Sequence, residues 1–150
     1  MSDLTYLDPG ELVDGDLELV LEERLATDSN RGYLPAYRFA MRKLGSEGKA
    51  GEIGLRIGEP PPHLGHIWYR VSPEYRGHHL AARACRLLVP LARRHGLNPV
   101  RITCREENWA SRRSAELAGA EFVGMVDTPE GYRDWLGPVR SKCVYQLKTE

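Results

Sequence analysis

The chain has 150 residues, of which 41% are apolar and 28% charged, with a formal net charge of zero. This is about one domain's worth of globular sequence, too apolar to stay disordered and long enough to bury a core without disulfides or a metal. Its longest apolar run, Leu87 to Ala92, is interrupted by Pro90 and falls well short of the ~20 residues that cross a bilayer.

In chain order, Leu17, Leu19 and Leu21 alternate with Glu18, Val20 and Glu22, which predicts a half-buried strand. Thr27 to Pro35 has turn chemistry and little room for a helix. Tyr37, Phe39 and Met41 predict a second strand, Gly45 to Gly51 a turn, and Ile53, Leu55 and Ile57 a third strand. Three consecutive prolines, Pro60 to Pro62, mark a loop outside any ladder. Ile67, Tyr69 and Val71 predict a fourth strand, with His66, Trp68 and Arg70 on its opposite face.

The period then lengthens to 3.6. Leu80, Ala84, Leu87, Leu88 and Leu91 share one helical face, and Arg83, Arg86, Pro90, Arg93 and Arg94 the other. Gly96 stops this helix, and Pro99 follows where it could not continue. Val100, Ile102 and Cys104 predict a fifth strand. Asn108 is placed to cap a helix running through Leu117 to Gly119. Phe122 to Val126 and Lys142 to Leu147 predict the last two strands. The expected fold is therefore α/β of the α+β kind, one domain over residues 1–150. It is a mixed, mainly antiparallel seven-stranded sheet with a central βαβ unit, whose right-handed crossover makes strands four and five parallel.

Charge is unevenly distributed. Residues 1–30 carry nine acids against Arg24, while residues 76–113 carry nine arginines against Glu106 and Glu107. This polarity suggests an anion-binding half or, more plainly, solvated helix faces. Nucleic acid is disfavoured as the partner, because no aromatic platform is interleaved with the arginines. Three cysteines at unrelated spacings, after a start without a basic-then-apolar leader, predict reduced thiols and a cytoplasmic location. Cys104, inside a strand, reads as a small apolar residue rather than a nucleophile. His63-x-x-His66 and His78-His79 lack the further ligands that zinc would need, so no metal is expected.

Chemistry concentrates where strand four runs into its helix, at Val71-Ser72-Pro73-Glu74-Tyr75-Arg76-Gly77-His78-His79-Leu80-Ala81. Free N–H groups in a first helical turn, backed by the helix dipole, bind phosphate, and small residues let a ligand approach. With Val71-x-Pro73-x-Tyr75 before it, Arg76-Gly77-x-x-Leu80-Ala81 resembles motif A of the GNAT superfamily of N-acetyltransferases, except that His79 stands where a glycine is usual. Asn108-x-Ala110-Ser111, followed by Glu116-Leu117-Ala118-Gly119, resembles that family's second motif, about thirty residues on.

The resemblance implies acetyl transfer from acetyl-CoA, a cosubstrate, to an amine of a small molecule or peptide, with no nucleic acid, no membrane and no metal involved. It also implies a donor site in which the backbone of Arg76, Gly77, His78, His79, Leu80 and Ala81 holds the pyrophosphate. The pantetheine arm would pair with strand four at Tyr69 and Val71, and Asn108 and Ser111 would hold the arm. The tyrosine that many members use as general acid is replaced by Ala115. Ser111, Tyr145 and bulk water are then the candidate acids. His66, at the strand-four position where many members carry a carboxylate, is the candidate base; failing it, the base falls to Glu52, Glu130, Asp134 or water alone. Between strands six and seven, Asp127 to Arg140 carries Tyr132, Trp135, Glu130 and Asp134, which would suit a cationic amine. The alternatives are transfer of a longer acyl group and a non-catalytic acyl-CoA sensor. A homodimer is compatible with the sequence.

Overall fold

A computed structural model describes residues 6–26, 34–134 and 136–150. Most of the turn expected over Thr27 to Pro35, and Trp135, therefore lie outside the described residues. The main sheet has eight strands in the order β1 (Val13–Asp14), β2 (Leu17–Leu25), β3 (Ala36–Lys43), β4 (Gly51–Arg56), β5 (Ile67–Val71), β6 (Val100–Cys104), β10 (Ser141–Leu147) and β7 (Glu121–Asp127). β8 (Arg133–Asp134) and β9 (Gly137–Pro138) form a separate two-stranded ladder. The expected seven strands thus become eight in the sheet. The extra one, β1, spans only two residues and folds back on β2 through Gly15, in the left-handed region at φ 59°. A two-residue strand is too short to show alternation.

β5 and β6 are parallel, as the βαβ reading expected, and every other pairing in the sheet is antiparallel. Their crossover is α1 (Leu80–Arg94). Leu80, Ala84, Leu88 and Leu91 are buried on its inner face, each leucine contributing about 1.5–3 kcal/mol. Pro90 lies on the exposed side. α1 ends where the Leu97 N–H returns to the Ala92 carbonyl at 3.0 Å, with Gly96 at φ 76° supplying the left-handed turn. α2 (Trp109–Leu117) begins as expected, with Asn108 Oδ1 accepting from the Ser111 N–H at 3.1 Å. Neither helix is long and apolar enough to cross a membrane.

Both helices pack on one face of the sheet. Tyr37, Phe39, Ile53, Leu55, Ile67, Ile102 and Tyr145 point into that face and are buried. The other face, which carries Arg38, Glu52, Gly54, Arg56, Trp68 and Thr103, has no helix over it among the described residues.

The charge polarity is partly discharged within the fold. Arg83 belongs to no solvated face: its Nε and Nη2 donate to Asp14 Oδ2 at 3.0 Å and Asp16 Oδ1 at 2.7 Å, tying α1 to the β1–β2 turn. Arg94 reaches the Asp8 carbonyl at 2.9 Å. Of the α1 arginines, Arg83 alone pairs with carboxylates of the acidic N-terminal segment among the described residues.

Candidate active site

The site begins with a break in the sheet. β5 and β6 pair at a single register position, Ile67 with Ile102, beside which the His66 N–H donates to the Arg101 carbonyl at 2.7 Å. Beyond this vertex the strands part. The Arg56 N–H donates to the His66 carbonyl and the Ser72 N–H to the Ala50 carbonyl, so the even-numbered residues of β5 spend their backbone groups on β4. By strand alternation the N–H and C=O of Tyr69 and Val71 face the gap, as an arm pairing there requires.

At the wide end of the gap lies the turn into α1. Among the described residues, nothing in the chain accepts the N–H groups of Gly77 through Ala82, and no side chain caps the helix. Gly77 has φ 90°. His79 holds φ 57° and ψ 29°, the one non-glycine in the left-handed region among the described residues. A side chain there costs about 1–2 kcal/mol, so the departure at this position lies in the side chain, while the backbone keeps a glycine-like turn. Arg76 is exposed, and its Nε donates to the Val71 carbonyl at 3.3 Å.

On the helix side of the gap, the Tyr69 hydroxyl donates to the Ser111 carbonyl at 2.9 Å and sits 3.0 Å from Ser111 Oγ. Burial pushes the Tyr69 phenol far above its usual value, so it stays protonated. Burial also raises Cys104 to about 11, which leaves a protonated thiol, not a nucleophile. The Asn108 carbonyl oxygen is engaged as the α2 cap, which leaves its amide NH2 for a ligand. Tyr145 is fully buried one strand further on, its oxygen accepting from Arg112 Nε at 2.9 Å. The structure therefore brings Tyr69, Val71, Asn108 and Ser111 to the gap and sets Tyr145 behind β6.

His66 does not fit the role of base. It is 4% exposed, its Nδ1 accepts from the Arg101 N–H at 2.8 Å, and its Nε2 lies 3.1 Å from the Gly58 carbonyl. That pattern fixes the proton on Nε2 and occupies the one lone pair a base would use. Burial first, then Arg101, holds its pKa below 6.5. Two of the three fallback carboxylates, Glu52 and Asp134, are committed as well. Lys49 Nζ sits 2.7 Å from Glu52 and lowers its pKa. Arg105 grips Asp134 with two bonds and lowers it to about 2. The loop expected to attract a cationic amine thus has its Asp134 neutralised.

The helix-free face of the gap holds residues that the sequence reading did not connect. Trp68 lies flat over Gly54, where a Cβ would stand 2.0 Å from its ring. The Arg56 guanidinium stacks on that ring at 4.6 Å. Thr103, across the gap on β6, donates to the His63 carbonyl at 3.0 Å. The His63 ring meets Tyr132 edge-on at 4.8 Å, and Lys142 Nζ lies 3.3 Å from the Tyr132 hydroxyl. Extending the alternation of Ile53 and Leu55 to Gly54 and Arg56 would have placed both on the Trp68 face.

Residues 5–121 match the family model of the acetyltransferase (GNAT) domain. The chain belongs to the GNAT acetyltransferase family. Its fold is similar to that of RimL, a ribosomal L7/L12 alpha-N-protein acetyltransferase in complex with coenzyme A, at TM-score 0.68 and 18% identity over 92% of this chain and 97% of that one. It is also similar to a putative ribosomal-protein-serine acetyltransferase from Vibrio cholerae, at TM-score 0.66 and 15% identity over 95% of this chain and 99% of that one. The microcin C7 self-immunity acetyltransferase MccE, in complex with acetyl-CoA and AMP, matches at TM-score 0.61 and 18% identity over 80% of this chain. This GNAT chain spans 63% of the MccE chain. No curated protein matches it in sequence.

Proposed function

We propose that the protein moves the acetyl group of acetyl-CoA directly to the amine of a small molecule or peptide. The observation that carries this reading is the single-bridge splay of β5 and β6, with the backbone of Tyr69 and Val71 turned into the gap and uncapped N–H groups at its wide end. The α1 turn would hold the pyrophosphate, with the helix dipole behind it. The arm would run down the gap, and the thioester would meet the amine on the helix-free face between Trp68 and Thr103.

Direct transfer needs a neutral amine close to the thioester and a sink for its proton. His63 suits that role better than His66. Among the described residues nothing bonds its ring nitrogens, and burial, Lys142 and Arg56 lower its pKa, so it is neutral and able to accept a proton at pH 7. On the other side, the Tyr69 hydroxyl gives its proton to the Ser111 carbonyl, so the Ser111 hydroxyl beside it would be the donor to the departing thiolate.

A second reading, an acyl-CoA sensor, draws on Ala115, which is fully buried in α2 and leaves no phenol at the family's usual acid position. Thiol release against a panel of amines separates the two. Acetyl-CoA is expected to raise the melting temperature, and at least one amine to release coenzyme A, with His63→Gln lowering turnover by about 100-fold or more. Ligand stabilisation without turnover of any amine would favour the sensor. Full activity of His63→Gln would remove that residue from the mechanism. Repeating the assay with longer acyl donors tests chain length.

A further inference from the structure

Most charges on the helix-free face are matched. Arg38 reaches Glu22, Glu23 and Glu52, Lys49 reaches Glu22 and Glu52, Arg101 reaches Glu59, and Arg105 reaches Asp134 and Glu107. Two half-buried cations beside the gap break the pattern, whereas Arg70, which also lacks an ion pair among the described residues, is exposed. Among the described residues Arg56 has no carboxylate partner: it stacks on Trp68, and its Nη1 donates to the Gly65 carbonyl at 2.7 Å. Its Nε and Nη2, the edge of the fork that matches two oxygens of an anion, carry no bond. Lys142 likewise meets only the Tyr132 hydroxyl and ring.

A guanidinium withdrawn from water without a counter-charge is unfavourable to keep. Burial lowers the Arg56 pKa for that reason. Its geometry is nevertheless well set, by Trp68 below, which is itself seated on Gly54, and by the Gly65 carbonyl at its edge. An incoming anion would supply the missing charge at a place already shaped for it.

We propose that Arg56 and Lys142 form an anion-recognising subsite of the acceptor pocket, so that the amine acetylated belongs to a molecule carrying a carboxylate or phosphate close to that amine. The inference rests on the acetyl-transfer reading above for where the acceptor sits. It can be tested without turnover, so the two fail separately. The probes are N-acetylated products, which need no donor. A set of N-acetyl amino acids is titrated calorimetrically against the matching amides, and N-acetyl-O-phosphoethanolamine against N-acetylethanolamine.

The anionic member of at least one pair should bind about tenfold or more tightly than its neutral partner, as a charge-assisted pair of bonds implies. The pair that shows the preference names the anion. Arg56→Gln should bring the two members of that pair to within about threefold, and Lys142→Met should narrow the gap by less. The affinity for acetyl-CoA, measured alongside, reports that each variant is folded. Equal binding of charged and neutral members throughout would overturn the subsite. So would a preference that survives Arg56→Gln in a variant that still binds acetyl-CoA. Should Arg56→Gln not fold, Lys142→Met and the preference of the parent decide the matter.

Discussion

Two patches on the same open face of the sheet handle charge in opposite ways. Over β2 to β4, Arg38 and Lys49 are ringed by Glu22, Glu23 and Glu52, within 2.7 to 3.1 Å. Beside the gap between β5 and β6, Arg56 rests on an indole and a carbonyl, and Lys142 on a phenol. The first patch is complete within the chain and asks for nothing from outside. The second is held in shape by aromatic rings and leaves donors over. Where a fold satisfies its charges it builds surface, and where it positions charges without satisfying them it has prepared for a ligand.

The sharpest way to break this contrast is at Gly54. A Val there would strike the Trp68 ring, displace it and unseat Arg56, while the β2–β4 patch keeps its ion pairs. We expect a stability loss of about 1–3 kcal/mol from overpacking. Turnover of the acceptor should fall about 100-fold, as misplacement near a reacting centre does. Acetyl-CoA affinity should change little, and steady-state kinetics with calorimetry reads both. Parental turnover in Gly54→Val would mean that the Trp68–Arg56 stack takes no part in the site.

His66 gives the next largest effect, and it is one of stability. Replacing it with Leu leaves the Arg101 N–H and the Gly58 carbonyl without partners, at about 1–3 kcal/mol for a buried group left unpaired. The pH dependence has a definite sign. Because the folded-state pKa of His66 lies below 6.5, the unfolded chain takes up a proton first. The stability tied to neutral His66 is therefore complete well above that value and is lost as the pH falls below it. His63 and His95, also lowered chiefly by burial, add in the same direction. Melting curves between about pH 7 and 5 should slope downward with acid in the parent and less so in His66→Leu. Equal slopes would show that His66 titrates alike in both states.

Arg38→Gln should do least. It removes the centre of the paired patch and leaves the gap untouched, so turnover should stay within about twofold. The melting temperature should fall by no more than about 4 °C, as for exposed ion pairs in a chain of this size. A tenfold loss of activity would show that the acceptor extends across β4 onto this patch.

Most of the frame was legible because periodicity and caps are local. The change from period 2 at Ile67, Tyr69 and Val71 to period 3.6 at Leu80, Ala84 and Leu88 placed β5 and α1, and Asn108 marked the start of α2. What escaped depends on distant partners. Arg83 shares a helical face with exposed arginines, yet Asp14 and Asp16 hold it from nearly seventy residues upstream. His66 and His63 stand three residues apart, and nothing local says that one gives both nitrogens to the backbone while the other gives neither. The Arg56 stack needs Gly54 to leave a flat floor, a fact about two neighbouring strands that no single stretch contains.

The single bridge between Ile67 and Ile102 also bears on how the molecule opens. β1 to β5 form one hydrogen-bonded block and β6, β10 and β7 another; between them run that bridge, the bonds of His66 and His63 to Arg101 and Thr103, the Tyr69–Ser111 bonds and the packing of α1 on α2. Such blocks behave as separate cooperative units in amide hydrogen exchange, and the seam between them opens at lower free energy than either block unfolds. A donor lying along Tyr69 and Val71 would act as the missing rungs of the ladder. It would slow exchange on both sides of the seam together, and two units that fluctuate independently in the empty protein would open as one.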